Sequence, residues 1–206
     1  MIMKTEILAA NSPQVLSHAL KILRDGGLVA FPTDTVYGVG ALVFDEKAVE
    51  SIYAAKERPV EKAIPVLLGD AEDIGQVAED IPLFAIRLIE RFWPGPLTVL
   101  VPKKLSVPVV VSATSTVGVR VPDHDVARSL LRVAGPMAVT SANISSQPSP
   151  TTAEEVHQQL GGRIALIVDG GRTPGGVPST LVDCTGTEIQ ILREGPLSRD
   201  DLLKAI

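Results

Sequence analysis

Two stretches of this sequence place reactive side chains directly after an apolar run, where a strand would end and a ligand could sit. Leu28-Val29-Ala30-Phe31 leads into Pro32-Thr33-Asp34-Thr35-Val36-Tyr37-Gly38-Val39-Gly40. Two hydroxyls and a carboxylate there lie beyond the carboxyl end of a strand, the position at which open α/β sheets hold ligands. The same residue types also build an Asx or Thr turn that only caps the next segment. Val139-Thr140-Ser141-Ala142-Asn143 repeats the arrangement. Its short side chains would let a ligand approach the backbone, although Ser and Asn are also ordinary capping residues.

Cations supply the third ingredient. Lys56-Glu57-Arg58-Pro59, with Lys62 just beyond, closes a helical pattern. The proline pushes Arg58 toward an extended backbone, so Lys56 and Arg58 would project to one side and Glu57 to the other. Such a pair suits a polyphosphate. It equally complements the negative end of a helix dipole, and on this segment alone that second reading is the stronger. Arg120 stands inside the strand pattern Gly118-Val119-Arg120-Val121-Pro122. A guanidinium among valines needs a partner or a ligand, because burying it alone is costly. Arg193 ends another strand pattern, and the Gly-rich stretch Asp169–Gly176 reads as a lid or as a plain long loop. Cation-bearing polar segments on strand ends together imply an anionic ligand.

Familiar catalytic signatures are missing. No Gly-x-x-x-x-Gly-Lys-Ser/Thr occurs, and Val43 occupies the place of the third glycine in the dinucleotide fingerprint that Gly38-Val39-Gly40 begins. Neither His-Glu-x-x-His nor Gly-x-Ser-x-Gly is present. His18, His124 and His157 lie far apart, and His18 and His157 read as solvent-facing helix residues. The formal charge of −5 and the 3% aromatic content argue against a dedicated nucleic-acid binder, which would show a basic excess and stacking platforms. A single cysteine, Cys184, excludes an internal disulfide framework and any Cys-rich zinc site, and its neighbours suggest a small core residue. The start, Met1-Ile2-Met3-Lys4-Thr5-Glu6, is unlike a signal peptide, and apolar runs fall well short of the ~20 residues that cross a bilayer. The expectation is a cytoplasmic protein with no membrane contact.

Periodicity supplies the elements that must position these groups. Ser12-Pro13 predicts a helix start, with Val15, Ala19, Leu20, Ile22 and Leu23 on its apolar face and Gly26-Gly27 at its close. Further helices are predicted over 45–58, 71–78, 82–92, 124–134, 152–160 and 198–205. Strands are predicted at Leu28–Phe31, Ile64–Leu68, Leu97–Val101, Val117–Val121, Met137–Thr140, Ile164–Val168, Leu181–Cys184 and Ile189–Leu192. Pro65 assigns its strand to an edge or irregular position. Strands interleaved with helices give an α/β layer architecture, and 206 residues without a linker-like segment give one domain over 1–206.

In this order, Pro32–Gly40, Lys56–Pro59 with Lys62, Trp93–Thr98, Gly118–Pro122 with His124, Ser141–Asn143, Pro148–Thr151, Pro178–Thr180 and Arg193–Pro196 resemble the YrdC-like family of L-threonylcarbamoyladenylate synthases. The resemblance implies a twisted open mixed sheet flanked by helices, with a concave ligand cleft. It implies a nucleotidyltransfer in which L-threonine, bicarbonate and ATP give threonylcarbamoyl-AMP and pyrophosphate for tRNA modification. Lys56 and Arg58 would be catalytic, and Lys56, Arg58, Lys62, Thr116, Ser141, Asn143, Ser149 and Arg193 would hold ATP. Threonine would meet Thr33, Thr35, Tyr37, Arg120, Thr140 and Ser179. Mg²⁺ would arrive on the ATP phosphates without protein ligands. Where many relatives carry a histidine after the Lys/Arg segment, this chain has Leu67 in the run Ile64–Leu68. Without the second C-terminal domain of the longer family form, the chain resembles the single-domain form, with tRNA or tRNA-modification proteins as partners. A non-catalytic RNA-binding paralogue of the same fold is the alternative, and a carbamoyl-transfer module of hydrogenase maturation a third.

Overall fold

The computed structural model describes residues 4–206; Met1–Met3, part of the start read as unlike a signal peptide, lie outside them. Ten strands form one open sheet: β1 (Glu6–Ala9), β2 (Val29–Phe31), β3 (Gly38–Leu42), β4 (Val66–Leu67), β5 (Leu97–Pro102), β6 (Thr116–Arg120), β7 (Met137–Ser141), β8 (Leu166–Asp169), β9 (Thr180–Asp183) and β10 (Gln190–Arg193). Their spatial order is β1-β8-β2-β3-β7-β4-β6-β5-β9-β10. β1, β8 and β2 run parallel, as do β4 with β6 and β5 with β9; the other pairings are antiparallel. The helices are α1 (Val15–Arg24), α2 (Glu46–Lys56), α3 (Leu83–Phe92), α4 (Asp125–Ala134), α5 (Ala153–Leu160) and α6 (Arg199–Leu203), with a 3-10 turn at Ala71–Gln76. The mixed open α/β sheet is the architecture the sequence implies.

Strand alternation divides the core in two. One sheet face carries the larger core, in which Val39, Val66, Val99, Val119 and Val182 meet Ile52 of α2, Leu88 of α3 and Val156 of α5. On the other face, α1 and α4 seat Ala19, Leu23, Ala127 and Leu131 against Val29, Phe31, Leu67, Met137 and Val139. These two helices cover the β1 to β4 half. Across β4, β6, β5 and β9 the same face instead lines a cleft, with Leu67, Arg120, Thr98 and Leu181 brought side by side by the register.

The structure corrects several expectations. α1 begins two residues after Pro13 and has Gln14 at its N-cap with no side-chain cap bond, so Ser12 is not the cap. The Ser12 carbonyl accepts from Val15 N in a turn that holds the proline outside the helix. β4 is interior, paired with both β7 and β6, and only two residues long. Pro65 lacks a donor, yet its carbonyl still accepts from Val139 N at 2.9 Å, so the proline shortens the strand without moving it to an edge. Two strands escape the periodicity. β1 is a mostly exposed edge, and β3 carries two glycines that read as loop. At Gly40 a Cβ would stand 2.6 Å from the Ala138 carbonyl, so glycine is what lets β3 and β7 pair this closely.

Cys184 is buried in the larger core, as expected, and burial with the nearby Asp183 charge pushes its thiol up to about 12. The thiolate is therefore scarce at neutral pH and shielded from reagent. Cys184 should stay unmodified by an aromatic disulfide reagent in the native protein and react stoichiometrically in denaturant; rapid native-state reaction would contradict this packing.

Candidate functional site

The cleft has a volume of about 280 Å³ and is built from eight segments. Thr33 and Thr35 follow β2, Arg58 follows α2, and Pro65 and Leu67 come from the β4 run. Thr98 belongs to β5, Arg120 to β6, Thr140 and Ser141 to β7, Ser179 precedes β9, and Arg193 ends β10. Eight of the residues that the sequence proposes thus share one wall: Thr33, Thr35, Arg58, Arg120, Thr140, Ser141, Ser179 and Arg193.

Arg120 is the centre of this wall. It is 5% exposed, and three protein acceptors satisfy it. Its Nε donates to the Gly95 carbonyl at 2.9 Å, Nη1 to Thr35 Oγ1 at 3.1 Å, and Nη2 to Asp34 Oδ1 at 2.5 Å. Gly95 is held in turn, since its N–H donates to the Val121 carbonyl. Desolvation lowers the Arg120 pKa while the Asp34 carboxylate raises it, which is the balance a buried ion pair requires. Pro32–Gly40 forms the expected turn, and the turn lies at the cleft. Thr33 Oγ1 donates to the Val36 carbonyl at 2.7 Å and accepts from Thr35 N, and that turn presents both hydroxyls to the cleft.

Two more guanidiniums face the same space. Arg58 Nε and Nη2 donate to the carbonyls of Lys62 and Ala63. Arg193 donates from Nε and Nη2 to the carbonyl and Oγ of Ser179, whose hydroxyl also shares a 2.7 Å bond with Thr98. Burial lowers the pKa of Arg58 and of Arg193, and the charges of Arg120 and Arg58 lower that of Arg193 further. Among the described residues neither Arg58 nor Arg193 has a carboxylate partner, so the cleft carries uncompensated positive charge.

Other proposed residues lie off the wall. Lys56 is the main correction: it is 1% exposed, and its Nζ donates to the carbonyls of Ser141 and Asn143. Glu57 adopts φ 53° as the C-cap of α2, and Arg163 holds both Glu57 and the Ala55 carbonyl. That left-handed step lies between Lys56 and Arg58, and Arg58 lines the cleft while Lys56 does not. Lys62 contributes its carbonyl, and its side chain is exposed. Tyr37 is fully buried; its hydroxyl donates to the Gly171 carbonyl at 2.7 Å and accepts from Gly170 N, and burial pushes its pKa up to about 12. It anchors the Gly-rich loop, whose far end is tied by Gly176 N to the Thr35 carbonyl. Asn143 Nδ2 donates to the carbonyls of Ile144 and Gln147, and its Oδ1 is buried without a partner. Thr116 shares the Arg120 face of β6 but sits four residues away, ~13 Å along the strand, bonded to Thr114. Ser149 is half-buried in the loop between β7 and α5.

Sequence reasoning gave Thr98 no role and noted the Asp34 carboxylate without a partner. The signal for Asp34 was a carboxylate inside the Thr33–Tyr37 segment, and only its pairing with a residue distant in sequence gives it meaning. His124, at the N-cap of α4, is half-buried, with Nδ1 unpartnered. Burial lowers its pKa against the opposing charges of Asp34, Asp125 and Asp123.

An open mixed α/β sheet with a half-covered face and an arginine-lined cleft defines the class, an α/β domain with a positively charged cleft. The Sua5/YciO/YrdC family model, described as "Telomere recombination", matches residues 21–195, and the chain belongs to that family. A threonylcarbamoyl-AMP synthase of Pyrococcus abyssi is 44% identical over 190 residues, covering 91% of this chain and 56% of that protein. One of Bacillus subtilis is 42% identical over 201 residues, covering 96% and 58%. The chain therefore spans less than two thirds of the length of these relatives. The structure of P. abyssi Sua5 complexed with L-threonine superimposes with a TM-score of 0.92 at 40% identity, covering 100% of this chain and 61% of that one.

Lys56→Met should cost about 2–4 kcal/mol in urea unfolding, because two carbonyls lose a buried donor. Burial and the Arg58 charge hold the Lys56 ammonium at about 7 against an ordinary 10.5, so between those values the unfolded chain binds the proton more readily. The Lys56 contribution to stability should thus rise with pH above about 7, and Lys56→Met should remove that rise when midpoints are compared at about pH 7 and 9.

Proposed function

We propose that this chain catalyses the ATP-dependent synthesis of threonylcarbamoyl-AMP from L-threonine and bicarbonate. The threonine amine adds to the bicarbonate carbon, and loss of water leaves an N-carboxylate. One oxygen of that carbamate attacks the α-phosphorus of ATP as the bond to pyrophosphate breaks. The observation that carries the reading is the convergence of Arg58, Arg120 and Arg193 on one cleft that the Thr33–Thr35 turn also lines. The names of the P. abyssi and B. subtilis relatives, and threonine in the matched Sua5 structure, support it.

Such chemistry asks for positioning and charge neutralisation more than for a nucleophile. Arg58 and Arg193, which have no carboxylate partners, suit the phosphates. One N–H on each terminal nitrogen of Arg120 remains for the threonine carboxylate, beside the hydroxyls of Thr33 and Thr35. Ser141, Thr140 and Ser179 offer further hydroxyls at the junction. Mg²⁺ would be carried on the triphosphate, as expected of an ion that keeps oxygen ligands and water. A triphosphate and base lying along the sheet would reach toward Thr116. Asn143 Oδ1 and Ser149 belong to the same nucleotide side. Lys56 serves this scheme by bracing the Ser141–Asn143 turn, not by clamping phosphate. tRNA, tRNA-modification partners and a cytoplasmic location follow from the product.

Pyrophosphate release should require L-threonine and bicarbonate together with MgATP; ATP hydrolysis indifferent to threonine would sink the reading. Arg58→Ala should raise the KM for ATP by about 10- to 100-fold, the loss expected for charge-assisted hydrogen bonds. Arg58 is half-buried at the cleft edge, so the melting temperature should change little.

A further inference from the structure

We propose that Asp34 is a positioning residue that sorts the cleft, holding Arg120 as a carboxylate fork and keeping it from serving as a third phosphate clamp. This rests on the reading above and names how one cleft with three guanidiniums tells two anionic ligands apart.

The geometry separates the three arginines. Arg120 is the only one of them with an ion-pair partner among the described residues, Asp34 at 2.5 Å, and both side chains are largely buried, at 6% and 12% exposure. Its other bonds, to Gly95 and Thr35, fix the guanidinium plane. Five N–H groups less three leaves one on each terminal nitrogen, a pair that matches the two oxygens of a carboxylate. The net charge of the Arg120–Asp34 unit is zero, so it attracts an anion by directed hydrogen bonds and offers a polyphosphate little long-range attraction. Arg58 and Arg193 donate only to neutral carbonyl and hydroxyl oxygens and keep their charge. A polyphosphate is therefore steered to Arg58 and Arg193, which flank the cleft, and a carboxylate fits Arg120 between them. Exchanging the Asp34 charge for a neutral acceptor of the same shape removes the sorting while preserving the fork. Truncating Asp34 releases the fork as well.

The test compares the full chain carrying Asp34→Asn or Asp34→Ala with the wild type. Inorganic pyrophosphate is titrated calorimetrically, and KM is measured separately for L-threonine and ATP. Asp34→Asn should bind pyrophosphate about fivefold or more tighter than the wild type, the effect of exposing one further charge at partial screening. The gain should vanish as NaCl is raised from roughly 50 to 500 mM. Its threonine KM should stay within about threefold of wild type, whereas Asp34→Ala should raise that KM about tenfold or more with ATP KM little changed. Unchanged pyrophosphate affinity in Asp34→Asn overturns the proposal. So does an equal rise of threonine KM in both variants, which would place the carboxylate itself on the substrate. If Asp34→Ala does not fold, the pyrophosphate titration of Asp34→Asn decides alone. A wild type without threonine-dependent pyrophosphate release defeats the proposed function, while the pyrophosphate titration still judges the sorting.

Discussion

A guanidinium inside a sheet must recover the water it gives up, and how Arg120 does so organises the cleft. Its three acceptors come from two separate places: Thr35 and Asp34 in the turn after β2, and Gly95 in the segment just before β5. Each acceptor is itself fixed. Gly95 is tied to Val121, Trp93 Nε1 donates to the Leu97 carbonyl at 2.8 Å, and Thr33 locks the turn that carries Asp34 and Thr35. Removing any of them would leave a buried charge short of a partner, so the requirement of one side chain aligns segments far apart in sequence.

A second buried cation does comparable work at the end of β7. Lys56, the last residue of α2, reaches the carbonyls at the end of β7 and just beyond it. Those carbonyls belong to Ser141 and Asn143, so the brace sets where the Ser141 side chain meets the cleft. The helix that ends at Lys56 is itself stopped by the left-handed Glu57 and clasped by Arg163. Arg58 is thereby delivered to the cleft with its charge uncompensated. Two cations two residues apart thus have unlike tasks, one cementing the frame and one facing the ligand.

Most elements were legible in the sequence because burial imposes a period. The strands β5, β6, β7 and β8 stand out as short apolar runs because they are buried on both faces, and the amphipathic α1, α3 and α4 repeat as their exposure demands. β3 was not legible, because its glycines answer to the closeness of β7 and carry no side chain to signal a strand. β1 was not, because an exposed edge has no buried face to advertise. β4 read as an edge or irregular strand; it is short but interior, because the proline rule speaks only of a missing donor and here the proline carbonyl keeps its place in the ladder.

The site divides along the same line. By itself the sequence determined which residue types border strand ends, that cations lie among them, and, through its ordered motifs, the family to which the chain belongs. Residue type and short-range spacing carry that information, since a turn, a strand end or a helix stop is a local matter. Only the tertiary structure decided which cations meet in the cleft and what each one faces. Arg120 and Asp34 are a pair and Lys56 is a brace, while Tyr37 anchors a loop and Arg58 and Arg193 are left with free charge. Partners 85 or more residues apart leave no trace in local spacing, because desolvation and hydrogen-bond satisfaction act through space after the strands have been ordered.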